Sequence, residues 1–302
     1  MRAGLLGDVA LRTASRLAHI PAVAELPAGR MLELPGRGRT YLVDTGPPPD
    51  VPDAPTLVLL HALACTGLLT WYPSLAALAR RYRVVVFDQR WHGAGPRSAT
   101  FRLEDCADDV AAVAGELGLQ DVIAVGYSMG SLVAQLAWRR HPQLVSGAVF
   151  AASTTSFARP GREARLLAGV STGIGRLAEW RGRMLAELDG HLPAELDNRW
   201  AYHQFRATSP SAITAATAAI TRFDSSGWIT GMHVPTAVVI TRRDRAIRPA
   251  RQRRLAALLP DATSYEIDAG HAACVLEAGR FTPALLAACA SVVDRLPAHA
   301  RP

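Results

Sequence analysis

The chain contains no lysine: all 33 basic side chains are arginine, set against 26 acidic ones, for a net charge of +7. Heavy Arg, Ala and Leu usage of this kind reflects genome base composition rather than a task. The arginines are spread along the chain, not gathered into the stripe that nucleic-acid binding uses, so no nucleic-acid partner is expected. The densest run, Arg242, Arg243, Arg245, Arg248, Arg251, Arg253 and Arg254, reads as a solvated helix face. Cysteine is scarce, four in 302 residues, and no pair has Cys-x-x-Cys spacing. That argues against a disulfide framework and fits a reducing compartment, so a cytoplasmic location is expected. No apolar run approaches the ~18 residues that span a bilayer, so no integral membrane association is expected. The N-terminus has Arg2, but Asp8 and Arg12 interrupt its apolar residues, which makes a poor signal peptide. Zinc-ligand spacing is missing, and no Gly-x-Gly-x-x-Gly follows a strand-like run. Neither a metal nor an organic cofactor is therefore expected.

What is present is a globular composition, 49% apolar, long enough for one large α/β domain with an insertion. Residues 3 to 23 have the spacing of an amphipathic helix, with Leu5, Val9 and Leu17 on one face. The five prolines between Gly46 and Pro55 mark a loop. Apolar runs at 56–60, 83–87, 121–125, 146–151 and 234–241 read as strands, and 263–267 continues the alternation as a further strand. Helical patterns at 71–81, 103–117, 131–140, 249–259 and 281–296 lie between and after them. Glu104, Asp105, Asp108 and Asp109 crowd the start of the second helix, where acids suit its dipole. Alternating strands and helices imply a mostly parallel central sheet with helices on both faces. The alternation stops over 156–230, which is rich in Arg, Ala and Trp with helical spacing. The expected organisation is an N-terminal amphipathic helix (1–30), an α/β core (31–155 and 231–302) and an inserted helical cap (156–230).

The pattern Gly-x-Ser-x-Gly occurs twice. In the first copy, Gly126-Tyr127-Ser128-Met129-Gly130, a strand precedes the motif and a helix follows it. A sharp strand-to-helix turn presents the serine at the carboxyl end of a sheet, and the helix N-terminus offers a backbone donor to an oxyanion. The second copy, Gly169-Val170-Ser171-Thr172-Gly173, follows a helical run in the cap and reads as a structural small-residue segment. Ser128 is the candidate nucleophile.

A serine hydroxyl needs a base in reach and an acid to orient that base. After Ser128 the histidines include His191, His203, His233, His271 and His299. His271 alone lies between the last strand and the last helix. No carboxylate follows the strand ending near Ala151, whereas Asp244 follows the strand ending at Thr241. Asp244 is the candidate acid, with Asp268 in reserve.

These residues, with the His61-Ala62-Leu63 loop and Asp88-Gln89-Arg90-Trp91-His92-Gly93, resemble the α/β-hydrolase superfamily over about residues 55 to 295. The likeness is to esterase-like serine hydrolases of actinobacterial type. It implies the α/β-hydrolase fold, a triad of Ser128, Asp244 and His271, and oxyanion donors at the backbone amides of Leu63 and Met129. His61 and His92 read as structural hydrogen-bonders. The family usually has Gly where this chain has Ala62 and Trp91. Ala62, Trp91 and Tyr127 are taken as substrate contacts.

The expected activity is cleavage of a carboxylic ester or related acyl bond. The cap aromatics Trp180, Trp200, Tyr202, Phe205 and Trp228 suggest a small apolar acyl or ring-containing substrate. Thioesterase, lactonase and acyltransferase chemistry use the same triad, and a non-catalytic small-molecule receptor is the other class of reading.

Overall fold

A computed structural model describes Val23, residues 26–157 and residues 198–297. The helix predicted over 3 to 23, except for Val23, lies outside the described residues. So do the second Gly-x-Ser-x-Gly copy, Trp180, His191, His299 and residues 158 to 197 of the predicted cap.

Eight strands form one sheet in the order β1-β2-β4-β3-β5-β6-β7-β8. They are β1 (Arg30–Leu34), β2 (Gly38–Asp44), β3 (Thr56–Leu60), β4 (Arg83–Phe87), β5 (Val122–Tyr127), β6 (Val145–Ala151), β7 (Thr236–Thr241) and β8 (Ala262–Ile267). From β3 onward every pairing is parallel; β1 and β2 pair antiparallel with each other, and β2 with β4. The β1–β2 hairpin was not expected from the sequence. Both strands mix polar and apolar residues, and β1 buries only Leu32 and Leu34. An edge hairpin with one wet face lacks the continuous apolar run that marks a buried parallel strand.

Eight α-helices lie among the described residues: α1 (Gly67–Ala79), α2 (Leu103–Glu116), α3 (Met129–Arg140), α4 (Asn198–Arg206), α5 (Pro210–Arg222), α6 (Pro249–Leu258), α7 (Ala273–Leu276) and α8 (Ala278–Val293). Successive side chains of a strand point to opposite faces, and the core divides accordingly. Val58 and Leu60 join Val85, Phe87 and the inner faces of α2 and α3. Leu57 and Leu59 join Val84, Val86 and the inner faces of α1 and α8. β5 lies between β3 and β6 and is buried along all six residues.

Helix α1 starts four residues before its predicted start, because Thr66 caps it by accepting from the Leu69 amide at 3.1 Å. The arginine run is not one helix face. Only Arg251, Arg253 and Arg254 lie in α6; Arg242, Arg243 and Arg245 are in the turn after β7. Several are engaged: Arg253 pairs with Glu266 at 2.7 Å, and Arg251 donates to the Ser156 carbonyl at 2.7 Å.

Helices α4 and α5 follow residue 197 and return the chain to β7. The Thr66 hydroxyl donates to Gln204 at 2.6 Å, and Tyr72 meets the Trp200 ring edge-on at 5.2 Å. Trp228, taken from the sequence as a possible substrate contact, stacks on Trp138 at 6.4 Å and meets Phe223 edge-on. No helix among the described residues is long and apolar enough to cross a membrane.

Candidate active site

Strand β5 ends at Tyr127 and α3 begins at Met129, so Ser128 alone makes the turn. It does so at φ 52° and ψ −114°, a conformation L-residues seldom adopt. The neighbouring backbone holds it there. The Ser128 amide donates to the Ala151 carbonyl at 2.9 Å, which ties the turn to the end of β6. The buried Ser131 hydroxyl donates to the Gly126 carbonyl at 2.6 Å. Both motif glycines are required by close approach of backbone: a Cβ on Gly126 would run into the Gly130 carbonyl and the Ser131 backbone, and one on Gly130 into the Leu60 carbonyl. The end of β3 therefore lies directly against the start of α3.

Three side chains from three strand ends meet here. Ser128 Oγ is 3.0 Å from His271 Nε2, and His271 Nδ1 is 2.7 Å from Asp244 Oδ2. Asp244 is fully buried, while His271 is about a third exposed (31%). With a carboxylate facing Nδ1, that nitrogen carries the proton, and Nε2 is left to accept from the serine hydroxyl. Every other position on the Asp244 carboxylate is also used. Oδ1 accepts from the Ala246 and Ile247 amides, both at 2.8 Å. Oδ2 accepts from the Thr241 hydroxyl at 2.9 Å, and Gln252 Nε2 lies 3.2 Å from it. Asp268, the reserve acid, is half exposed and lies 3.5 Å from both Arg242 and Arg243.

The His271 loop is braced from two sides. Tyr127 donates its hydroxyl to the His271 carbonyl at 2.8 Å. Glu277 accepts from the Gly270 amide at 2.7 Å and also pairs with Arg243, next to Asp244. Tyr127 was expected to contact substrate. Its side chain is instead fully buried, between Trp71 and Phe281 and under the His271 loop.

Among the described residues, neither the Leu63 nor the Met129 amide has an acceptor. The Ala62 amide donates to Thr70 at 3.3 Å. The loop carrying Ala62 and Leu63 is fixed by His61, whose Nδ1 donates to the Ala62 carbonyl at 2.8 Å while its Nε2 accepts from the Gln89 amide at 2.8 Å. Gln89 returns a bond to the His61 carbonyl at 2.8 Å. Burial holds the His61 imidazole well below the usual histidine range, and pushes His92 down to about 4. The two rings lie 5.2 Å apart as neutral clamps between the β3 and β4 loops. Asp88 joins the same region: it accepts from the Gly67 amide at 2.8 Å and the Ala94 amide at 2.9 Å, and burial raises its carboxyl. Trp91 sits at φ 65°, donates to Ser98 at 3.1 Å and meets the Phe101 ring at 6.1 Å.

Sequence reasoning did not find Thr241, Gln252, Ser131 or Glu277. Gln252 is an uncharged residue in the middle of Ala-Arg-Gln-Arg-Arg, and that break in the charge was its only signal.

A family model of the alpha/beta hydrolase fold matches residues 55–278. The chain belongs to the α/β-hydrolase fold family. Its relatives include proteins provisionally named carbamate hydrolase RutD. That of Pantoea ananatis is 27% identical over 254 residues, covering 78% of this chain and 88% of that one. That of Rhizobium rhizogenes is 29% identical over 250 residues, covering 78% and 93%. Among solved structures, a hydrolase from Pseudomonas aeruginosa superposes with a TM-score of 0.70 at 20% identity, covering 88% of this chain and 99% of that one. Est816, described as an N-acyl homoserine lactone degrading enzyme, superposes with a TM-score of 0.67 at 25% identity, covering 85% and 99%. Family and relatives together make this chain a hydrolase.

Proposed function

We propose that this α/β hydrolase cleaves a carboxylic ester or closely related acyl bond of a small, largely apolar substrate, through an acyl-enzyme on Ser128. One observation carries the reading: the relay from Ser128 Oγ to His271 Nε2 at 3.0 Å and from His271 Nδ1 to Asp244 Oδ2 at 2.7 Å.

Ser128 Oγ attacks the acyl carbon while its proton passes to His271 Nε2. Asp244 keeps the imidazole in the required tautomer and faces the positive charge that develops on it. The carbonyl oxygen becomes an oxyanion that accepts from the Leu63 and Met129 amides; one such donor lowers the barrier by about 3 kcal/mol. His271 then gives its proton to the leaving oxygen, and the alcohol departs. Water, deprotonated by His271, releases the acid from Ser128.

The preference for an apolar acyl group rests on Ala62 and Leu63, both partly buried against the core, in the loop that follows the end of β3 beside the elbow. Carbamates form a second reading. Relatives at 27% and 29% identity are provisionally named for that activity, and a carbamate carbonyl undergoes the same attack. Lactones enter through the likeness to Est816.

The test joins probe labelling to a substrate panel. A fluorophosphonate should label the wild type and not Ser128→Ala. The panel contains p-nitrophenyl esters of graded chain length, thioesters, lactones and carbamates; turnover should be highest on short or medium esters. An unlabelled wild type, or undiminished labelling of Ser128→Ala, overturns the serine mechanism and favours a non-catalytic receptor on this scaffold.

A further inference from the structure

We infer that Gln252, acting through Thr241, is a positioning residue for Asp244. This rests on the proposed serine mechanism. Gln252 is fully buried on α6, a helix whose other polar side chains are all arginine. A buried primary amide is tolerated only when its donors and acceptor are matched. Its Oε1 accepts from the Thr241 amide at 3.0 Å. Its Nε2 donates to the Ile247 carbonyl at 2.7 Å and to the Thr241 hydroxyl oxygen at 2.9 Å, and lies 3.2 Å from Asp244 Oδ2. One side chain thus grips both ends of the turn, 241 and 247, that carries Asp244.

The proton count gives the grip a direction. A threonine hydroxyl has one proton to give. With a Gln252 N–H meeting the Thr241 oxygen, two acceptors lie within reach of the Thr241 proton, and Asp244 Oδ2 at 2.9 Å is nearer than Gln252 Oε1 at 3.3 Å, which already accepts from the Thr241 amide. One side of Oδ2 is thereby taken, and His271 Nδ1–H meets the other. The chain of bonds runs from Gln252 to Thr241, Asp244, His271 and Ser128. It decides the angle at which the carboxylate meets the imidazole. Gln252 touches neither substrate nor the reacting atoms, so its loss should appear in turnover and not in substrate binding.

The experiment compares Gln252→Met, Thr241→Val and Thr241→Ser, each alone and combined with Asp244→Asn. The readouts are kcat and KM on a p-nitrophenyl ester, the rate of fluorophosphonate labelling, and thermal melting to confirm folding. Gln252→Met and Thr241→Val should lower kcat between roughly 10- and 100-fold, the scale of a small misplacement of a catalytic group, with KM within about twofold of wild type. Thr241→Ser, which keeps the hydroxyl, should restore most of the rate. In the Asp244→Asn background the Gln252→Met change should cost less than about twofold, because a residue that acts through Asp244 has nothing left to position. Independent losses that multiply in that background overturn the inference, as does wild-type kcat in Gln252→Met. Should Gln252→Met fail to fold, Thr241→Val against Thr241→Ser decides alone. Should Ser128→Ala and Asp244→Asn lower turnover steeply while the Gln252 and Thr241 variants keep the wild-type kcat, this inference fails and the serine mechanism stands. Full turnover in Ser128→Ala fails both.

Discussion

The Tyr127 hydroxyl donates to the backbone carbonyl of His271 at 2.8 Å, so the residue before the nucleophile supports the loop that carries the base. The two rings are 6.2 Å apart, and the Tyr127 ring also meets Phe281 edge-on at 5.2 Å. Burial pushes the phenol well above its ordinary range, so it remains a donor throughout neutral pH. Ser128 and His271 are far apart in sequence but are held from one buried side chain.

Tyr127→Phe keeps the ring and removes this bond. A hydrogen bond of this kind contributes about 1 kcal/mol. The variant should melt slightly lower, and kcat on an ester should fall about three- to tenfold with KM unchanged, since the base moves and the binding surface does not. A change confined to KM would instead make Tyr127 the substrate contact that its place beside Ser128 first suggested.

The elbow stores strain at one residue. Ser128 sits at φ 52°, where a Cβ is disfavoured and glycine is not. Ser128→Ala should therefore keep the strain, and Ser128→Gly should relieve it. The glycine variant should be more stable than the alanine variant by about 1 kcal/mol, or roughly 2 °C in Tm for a domain of this size. Gly130→Ala should do the opposite and leave little folded protein, since its Cβ would enter the Leu60 carbonyl. Equal melting of the Ala and Gly variants at 128 would remove the strain argument.

Much of this fold was legible because buried parallel strands are written as continuous apolar runs. Val84, Val85 and Val86 read as strand without ambiguity, and five of the eight strands were located that way; β8, Ala-Thr-Ser-Tyr-Glu-Ile, followed from the alternation. The hairpin at Arg30–Leu34 and Gly38–Asp44 was not, because a strand with one solvated face carries only two or three apolar residues. At the site, Ser128, Asp244 and His271 were found by their places after strands. Gln252 and Thr241 were not, since a polar side chain inside a helix or at a strand end has no signature until the fold shows what it faces. Trp91 and Tyr127 show the same limit: sequence placed them near the nucleophile, but the direction of each ring depends on Ser98, Phe101 and Phe281.

Asp109 is fully buried and holds two arginines. It accepts from Arg90 at 2.7 and 2.9 Å, and from Arg37 at 2.6 Å. It was read from the sequence as a helix-start acid suited to the dipole, but its contacts give it a larger role: it joins α2 to the β1–β2 turn and to the loop after β4. Asp109→Ala should cost about 3–5 kcal/mol, because it leaves the buried Arg90 guanidinium without its counter-charge. Urea denaturation would measure this. A loss under 1 kcal/mol would place the pair among exposed ion pairs of little weight.

The two buried imidazoles predict how stability changes with acid. Burial lowers His92 from 6.5 to about 4, and His61 well below its usual range. Between about pH 6.5 and 4 the unfolded chain takes up protons at these positions and the folded chain does not. Stability must then rise with pH across this window and be fully present above it. For His92 alone the interval corresponds to roughly 3 kcal/mol. Asp44 and Asp108, held low by Arg83 and by Arg140 with His141, lose their contribution only below the ordinary carboxylate range. Asp88, raised by burial, has the opposite sign and eases the loss at the acid end. Thermal melts from pH 7.5 to 4.5 should show Tm falling below about 6.5. His92→Asn, whose amide can still donate to the Arg90 carbonyl, should flatten that fall. An unchanged slope in the variant would assign the acid limb to other groups.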